Sequence, residues 1–298
     1  MHLSAPRRLI AVLAAMLLLG GSSLTGLPVA VAATTQQWQL VAKDDFNGSL
    51  APHWSVYQGS PSCCQATTWA TSQVAEQDGR LVLSTVRKDG KWISGGVSAA
   101  GWPAMVRTYG KYVARVRVDK GAGVSAVALL WPKSNVWPPE IDYYELSGQD
   151  ADRTQETQTV HRAPDQAQLR SVYQGDLTQW HTVSVEWLPN SLTYFVDNRL
   201  VGRVTNPSYI PHQPMWPAFQ MQIQQNSAGQ PLASGSGPVR MYVDWFAVYA
   251  PVSPAPPASS GWNAGSLLWT VLVVLVVVGF ALWLLRRRSR RRARYQPR

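Results

Sequence analysis

The segment Trp137-Pro138-Pro139-Glu140-Ile141-Asp142-Tyr143-Tyr144-Glu145-Leu146 places three carboxylates within six residues of an aromatic and apolar run. An acid is costly in such a stretch unless it is solvated or put to use. A pair of carboxylates can break a glycosidic bond: one attacks the anomeric carbon and the other protonates the leaving oxygen. Strand alternation puts Glu140 and Asp142 on one face. Glu145, five positions after Glu140, points the other way in a regular strand. One extra residue, a β-bulge at Tyr143-Tyr144, returns it to the face of the other two. Two glutamates leaning inward on a concave sheet then reach the separation of roughly 5–5.5 Å that marks a retaining glycosidase. Carboxyls this close resist joint ionisation, which raises the proton affinity of one. Pro139 lacks a ladder donor, so Glu140 is expected at a strand start. A solvated acidic edge strand is the structural alternative.

The surrounding chain must supply that strand and its sheet. Arg80–Val86, Tyr109–Val118, Val124–Trp131, Ile141–Leu146, His181–Trp187, Leu192–Val196 and Arg240–Tyr249 alternate or are rich in β-branched and aromatic residues. Asp78-Gly79, Asp89-Gly90, Pro189-Asn190 and Asp197-Asn198 punctuate them as turns. No sustained 3.6-residue stripe, internal repeat or glycine-rich phosphate loop occurs. Residues 33–250 therefore read as one all-β domain, an antiparallel sandwich of jelly-roll type with a concave substrate cleft. Glycan chains present flat C–H faces to aromatic rings. Trp131 and Trp137, which bracket the approach to the acidic strand, are the first candidates for such contacts, followed by Trp102, Trp69 and Trp216. Core packing is the competing role for each. The adjacent Cys63-Cys64 pair cannot cross-link distant parts of a fold; a strained ring disulfide, an intermolecular link and two reduced thiols all stay open.

Glu140-Ile141-Asp142-Tyr143-Tyr144-Glu145 resembles the E-x-D-x-x-E signature of glycoside hydrolase family 16, in the bulged form of its laminarinase-like branch. Other segments follow in that family's order. Asp44-Asp45-Phe46-Asn47-Gly48 resembles its opening strand, and Asp78-Gly79-Arg80-Leu81-Val82-Leu83 and Tyr109-Gly110-Lys111-Tyr112-Val113-Ala114-Arg115 resemble two later ones. His181–Trp187 with Tyr194–Asn198 resembles its central hairpin, and Val243–Tyr249 its closing strand. The resemblance implies Glu140 as nucleophile, Glu145 as acid/base, Asp142 as the group orienting Glu140, and His161 as a contact to substrate or to Glu145. No cofactor is implied for catalysis. A structural calcium is implied at the Asp45 and Gly48 carbonyls and the Asp244 carboxylate. Departures occur in the cleft walls: Val124–Leu130 stands where the family has a tryptophan-rich stretch, and Pro139 stands in place of a glycine. The implied activity is retaining, endo-acting hydrolysis of a β-glycan, a β-1,3- or mixed-linkage β-glucan above all. Glycosyl transfer on the same site and a non-catalytic surface lectin are the rivals.

The net charge of +10 lies at the two ends: Arg7-Arg8 and eight arginines from Arg286 to Arg298 account for it, leaving the chain between them neutral. A nucleic-acid partner, which needs basic residues on the folded domain, is excluded. Charged residues are only 15% and apolar ones 46%, which excludes a disordered polyelectrolyte. Residues 1–32 read as an export signal, with basic Arg7-Arg8, apolar Leu9–Leu19 and the small-residue site Ala30-Val31-Ala32. Residues 251–265 read as a Pro/Ser-rich linker. Residues 266–285 read as a transmembrane helix, since Leu267–Leu285 carries no charge over 19 residues and has Trp269 and Trp283 near its edges. The basic tail 286–298 then lies in the cytoplasm and the domain outside the cell, tethered to the lipid bilayer.

Overall fold

The computed structural model of the chain describes residues 36–252 apart from 51, 62–63, 163–166 and 234–236, together with scattered positions between 272 and 287. The expected export signal lies outside the described residues, as do Cys63 and most of the expected linker. The described positions between 272 and 287 are helical. Among the described residues no helix is long and apolar enough to cross a membrane.

The domain is built of strands. The first seven are β1 (Gln37–Asp44), β2 (Ser55–Val56), β3 (Thr68–Trp69), β4 (Val74–Glu76), β5 (Leu81–Lys88), β6 (Lys91–Ser94) and β7 (Gly96–Ser98). Next come β8 (Gly110–Val118), β9 (Val124–Pro132), β10 (Glu140–Leu146), β11 (Gln155–His161) and β12 (Gln168–Gln174). The chain continues with β13 (His181–Leu188), β14 (Ser191–Val196), β15 (Arg199–Val204), β16 (Met215–Ile223) and β17 (Val239–Val252). One sheet runs β15-β14-β13-β8-β17-β5-β6-β3, with β1 alongside β17 and β4 alongside β5. The other runs β12-β11-β10-β9-β16-β7-β2. The pairings are antiparallel except β3 with β6, which is parallel. This is the expected jelly-roll-like sandwich.

Alternation explains which face of each strand is inside. Tyr112, Ala114, Val116 and Val118 of β8 and Val183, Val185 and Trp187 of β13 point inward and are fully buried. From the opposite sheet Ala126, Ala128 and Leu130 of β9, Ile141 of β10 and Phe219 of β16 meet them. Each valine, leucine, isoleucine or phenylalanine among them contributes roughly 1.5–3 kcal/mol on burial. Strand β9 is buried on both faces, because Val127 and Leu129 form a second apolar cluster with Trp216 and Ala218 on the outer face of the seven-stranded sheet. That outer face is the one the site uses.

Two-residue turns set the hairpin registers. Asp78-Gly79, Asp89-Gly90 and Asp197-Asn198 all take positive φ at both positions. They link β4 to β5, β5 to β6 and β14 to β15, the mirror-image turn geometry that matches strand twist. Two expectations are corrected. Of the segment Asp44–Gly48 read as the opening strand, only Asp44 lies in β1: its carboxylate accepts from the Phe46 amide and the Trp54 indole, which turns the chain out of the sheet. The last strand runs through Pro251-Val252, pairing with Trp38 and Gln37, two residues into the expected linker.

Candidate active site

Strand β10 begins at Glu140, immediately after Pro139. Its ladder slips once. Against β9, Asp142 opposes Leu129 and Tyr144 opposes Ala128, so Tyr143 is the surplus residue. Against β11, Asp142 opposes Thr159 and Glu145 opposes Thr157. The bulge is the expected one. Tyr143 and Tyr144 both turn into the core, at 1% and 0% exposure, and Glu145 comes out on the face of Glu140 and Asp142. Two adjacent core-facing tyrosines supply the burial that holds the irregularity in place.

The three acids line a cleft of about 720 Å³ on the outer face of the seven-stranded sheet. Directly opposed residues share a face, so the registers read as rows across the cleft. At one end His161 opposes Glu140, and Trp131 opposes Trp216; the next row carries Thr159, Asp142, Leu129, Ala218 and Ser98; a further row carries Thr157, Glu145, Val127 and Gln220. Trp131 and Trp216 lie 6.4 Å apart between ring centroids, and Tyr57 and Trp69 lie 4.7 Å apart. All four rings line the cleft. Trp137, 37% exposed, stands at its rim beside His161 at 5.7 Å.

Each acid has its own partners. Glu140 Oε2 accepts from the Trp137 indole N–H at 2.7 Å. Asp142 Oδ2 lies 3.3 Å from His161 Nε2 and shares a hydrogen bond with Glu140. A bond between two carboxyls requires a proton on one of them. Glu145 Oε2 accepts from the hydroxyls of Thr157 at 3.0 Å and Thr159 at 3.1 Å. Burial, followed by the charge of Asp142, pushes Glu140 up to about 8, against the opposing pull of the Trp137 bond and His161. Burial and the charge of Glu145 hold Asp142 well above the ordinary carboxylate range, and Arg170 pulls the other way. The two form a coupled pair. The pair shares one proton across that bond, and the Trp137 indole N–H stabilises Glu140 when the charge rests there.

The structure brings Glu140, Asp142, Glu145, Trp131, Trp137 and His161 together, with Trp69 and Trp216. Trp102 is a correction. It packs edge-on against Trp54 and beside His53, joining the core instead of lining the cleft. Not foreseen were Tyr57, Asn135, Gln220 and the two threonines that hold Glu145. Their signal was faint, because β11 (Gln-Glu-Thr-Gln-Thr-Val-His) turns Glu156 and Gln158 inward and so shows no apolar alternation. Cys64 lies at the far end of the cleft, with Sγ 3.1 Å from Gln222 Oε1.

Of the groups expected to bind calcium, the Asp244 carboxylate is bound by Arg115. Glu140, Asp142 and His161 have donor atoms within 4.8 Å of one another, but those atoms are taken up by Trp137 and by each other.

Glycosyl hydrolases family 16 matches residues 62–247. Endo-1,3-1,4-beta-glycanase ExsH of Rhizobium meliloti (strain 1021) is 28% identical over 153 residues, which are 50% of this chain and 32% of that protein. The chain thus spans about a third of that relative. The catalytic domain of an endo-1,3-beta-glucanase (laminarinase) from Thermotoga petrophila RKU-1 superposes with a TM-score of 0.65 at 21% identity, covering 74% of this chain and 100% of that one. The endo-beta-1,3-glucanase from Pyrococcus furiosus gives 0.64 at 20% identity, covering 73% and 96%. These two likenesses establish a shared fold. With the family match extending over more than half of the sequence and across the acidic strand, the chain belongs to glycosyl hydrolases family 16 and is a glycoside hydrolase.

Proposed function

We propose that the domain is an endo-acting β-glucan hydrolase, cleaving β-1,3 or mixed-linkage chains by double displacement with retention. One observation carries this reading: the single surplus residue at Tyr143 sets Glu140, Asp142 and Glu145 on one concave face. Glu140, ionised and steadied by Trp137 and Asp142, attacks the anomeric carbon. Glu145, aimed by Thr157 and Thr159, gives its proton to the departing sugar oxygen as that bond breaks. Glu145, now a carboxylate, takes a proton from water. The resulting oxygen nucleophile attacks the same carbon, and Glu140 leaves as a carboxylate. An open cleft floored by Val127, Leu129 and Trp216 supports internal cleavage, since an apolar floor accepts successive sugar faces. The similar endo-1,3-1,4-beta-glycanase and endo-1,3-beta-glucanase support the β-glucan choice.

In the same reading the enzyme works outside the cell, held to the bilayer through residues 266–285 with residues 286–298 inside. The uncharged run Leu267–Leu285 and the arginines behind it support this, as does the exposure of helical Leu275, Val276, Val277 and Phe280.

The test uses the full-length chain with laminarin and lichenan, reading reducing ends and product configuration. Glu140→Gln is expected to abolish turnover. Glu145→Ala is expected to lose at least ~10²-fold on glucan, with azide restoring turnover of an activated aryl glycoside and giving a β-azide product. Rescue of Glu140→Gln with that same β product, or wild-type binding without hydrolysis, would overturn the assignment.

A further inference from the structure

The seven-stranded sheet carries one more charge on its concave face. Thr159 opposes Asp142, and Arg170 opposes Thr159. Opposed residues share a face, so Arg170 of β12 stands in the Asp142 row, two strands away, roughly 10 Å between backbones. Its neighbours on that face of β12 are Gln168, opposite His161, and Val172, opposite Thr157. All three are exposed. Among the described residues no carboxylate pairs with Arg170. Its charge is nevertheless felt in the site, since it favours the ionised form of Asp142.

The cleft is therefore unlike on its two sides. From the acid row toward β2 lie the rings of Trp131, Trp216, Tyr57 and Trp69 and the amides of Gln220 and Gln222, none of them charged. Toward β12 the cleft is bounded by His161, and beyond it Thr159, Gln168 and Arg170 continue the same face of the sheet. The acids clustered on this face carry net negative charge and so repel any further negative charge that a glycan brings. A guanidinium standing just beyond them cancels that repulsion and offers a planar fork that matches a carboxylate. To a neutral chain such a group offers hydroxyl contacts alone.

We propose that Arg170 is a specificity residue that binds a carboxylate carried by the glycan, so that the preferred substrate is an acid-bearing β-glycan. The inference builds on the glycanase reading above and narrows its substrate class. The carboxylate belongs either to a uronic acid in the chain or to an acidic substituent on a sugar hydroxyl. Both present the same planar group to Arg170.

The test compares lichenan with two derivatives of it, one oxidised to the carboxylate at C6 and one carboxymethylated, using the full-length chain. The wild type is expected to show higher kcat/KM on at least one derivative than on the parent. Arg170→Gln should cut that preference by about tenfold, the worth of one charge-assisted carboxylate contact. Arg170→Lys should restore part of it, and salt should erode it because the contact is exposed. Which derivative is favoured identifies the source of the carboxylate. The same three glycans are titrated onto full-length Glu140→Gln with and without Arg170→Gln, which reads the preference without turnover. Selective binding lost with Arg170 upholds the proposal even if no glycan is cleaved, a result that would remove the hydrolase reading instead. A preference that Arg170→Gln leaves unchanged, or a wild type that favours the neutral parent in both assays, overturns it.

Discussion

At the residue scale, Glu140 is held between opposing influences. Burial and the neighbouring Asp142 favour its neutral form, while the Trp137 indole N–H at 2.7 Å favours the carboxylate. Trp137 is therefore a positioning residue as well as a rim aromatic. Trp137→Phe keeps a ring at the rim but removes the donor. The free-enzyme kcat/KM should fall about tenfold, the order of one hydrogen bond to a charged group. The acid limb of its pH profile should also move to higher pH, because the bond that lowers the proton affinity of Glu140 is gone. A profile superimposing on the wild type would show that the indole serves substrate stacking alone. The acids were legible in the sequence because carboxylates in an aromatic run demand a reason. Trp137 was legible as an aromatic, but its hydrogen bond was not, since reach across three residues depends on how the prolines between them bend the chain. Thr157 and Thr159 carried no such flag, as threonine is ordinary in any strand.

The element that matters most is the bulged strand β10, whose effect is one of parity. With Tyr143 as the surplus residue, Asp142 and Glu145 face the same way although they are three apart. A glycine inserted between Tyr144 and Glu145 makes that separation four and, with the bulge retained, turns Glu145 into the core. Activity should then fall to the level of Glu145→Ala. Deleting Tyr143 instead makes the separation two in a regular ladder, so Glu145 still faces the cleft. That variant loses a buried aromatic, at a cost of about 3–5 kcal/mol, yet should retain more activity than the insertion. Full activity in the inserted chain, with β-sheet circular dichroism preserved, would show that the bulge is not what aims Glu145. The bulge was inferable because it is the cheapest way to reconcile three acids with one face. Strands such as β11 and β12 were not, because their faces do not separate polar from apolar: Glu156 and Gln158 point inward on β11, and Leu169 and Val172 lie exposed on the two faces of β12. Binary pattern reads burial, and it is silent where a strand buries polar groups.

For the whole molecule, the acids that make the site also tie stability to pH. Glu140, Asp142 and Glu156 all have their proton affinity raised chiefly by burial. Glu156, 1% exposed, lies on the core side of β11, and its Oε1 accepts from Gln158 at 2.7 Å. Unfolded carboxyls lose their protons near pH 4. Above that pH the folded protein binds more protons than the unfolded chain, so unfolding releases protons and becomes easier as pH rises. For the coupled Glu140–Asp142 pair, which holds one shared proton in the fold, the window runs from about 4.5 to about 8; across it each proton so retained removes up to about 1.4 kcal/mol per pH unit. The melting temperature of the full-length chain should therefore fall steadily between pH 5 and pH 8, opposite to a protein stabilised by ion-paired carboxylates. Glu156→Gln separates the contributions, because it leaves the cleft untouched and supplies an uncharged side chain that still accepts from Gln158. Its melting temperature should decline less steeply than the wild type's and exceed it at pH 8. Parallel curves would mean that Glu156 ionises in the fold at its ordinary pH, and that the interior behind Thr157 and Thr159 is wetter than its burial implies.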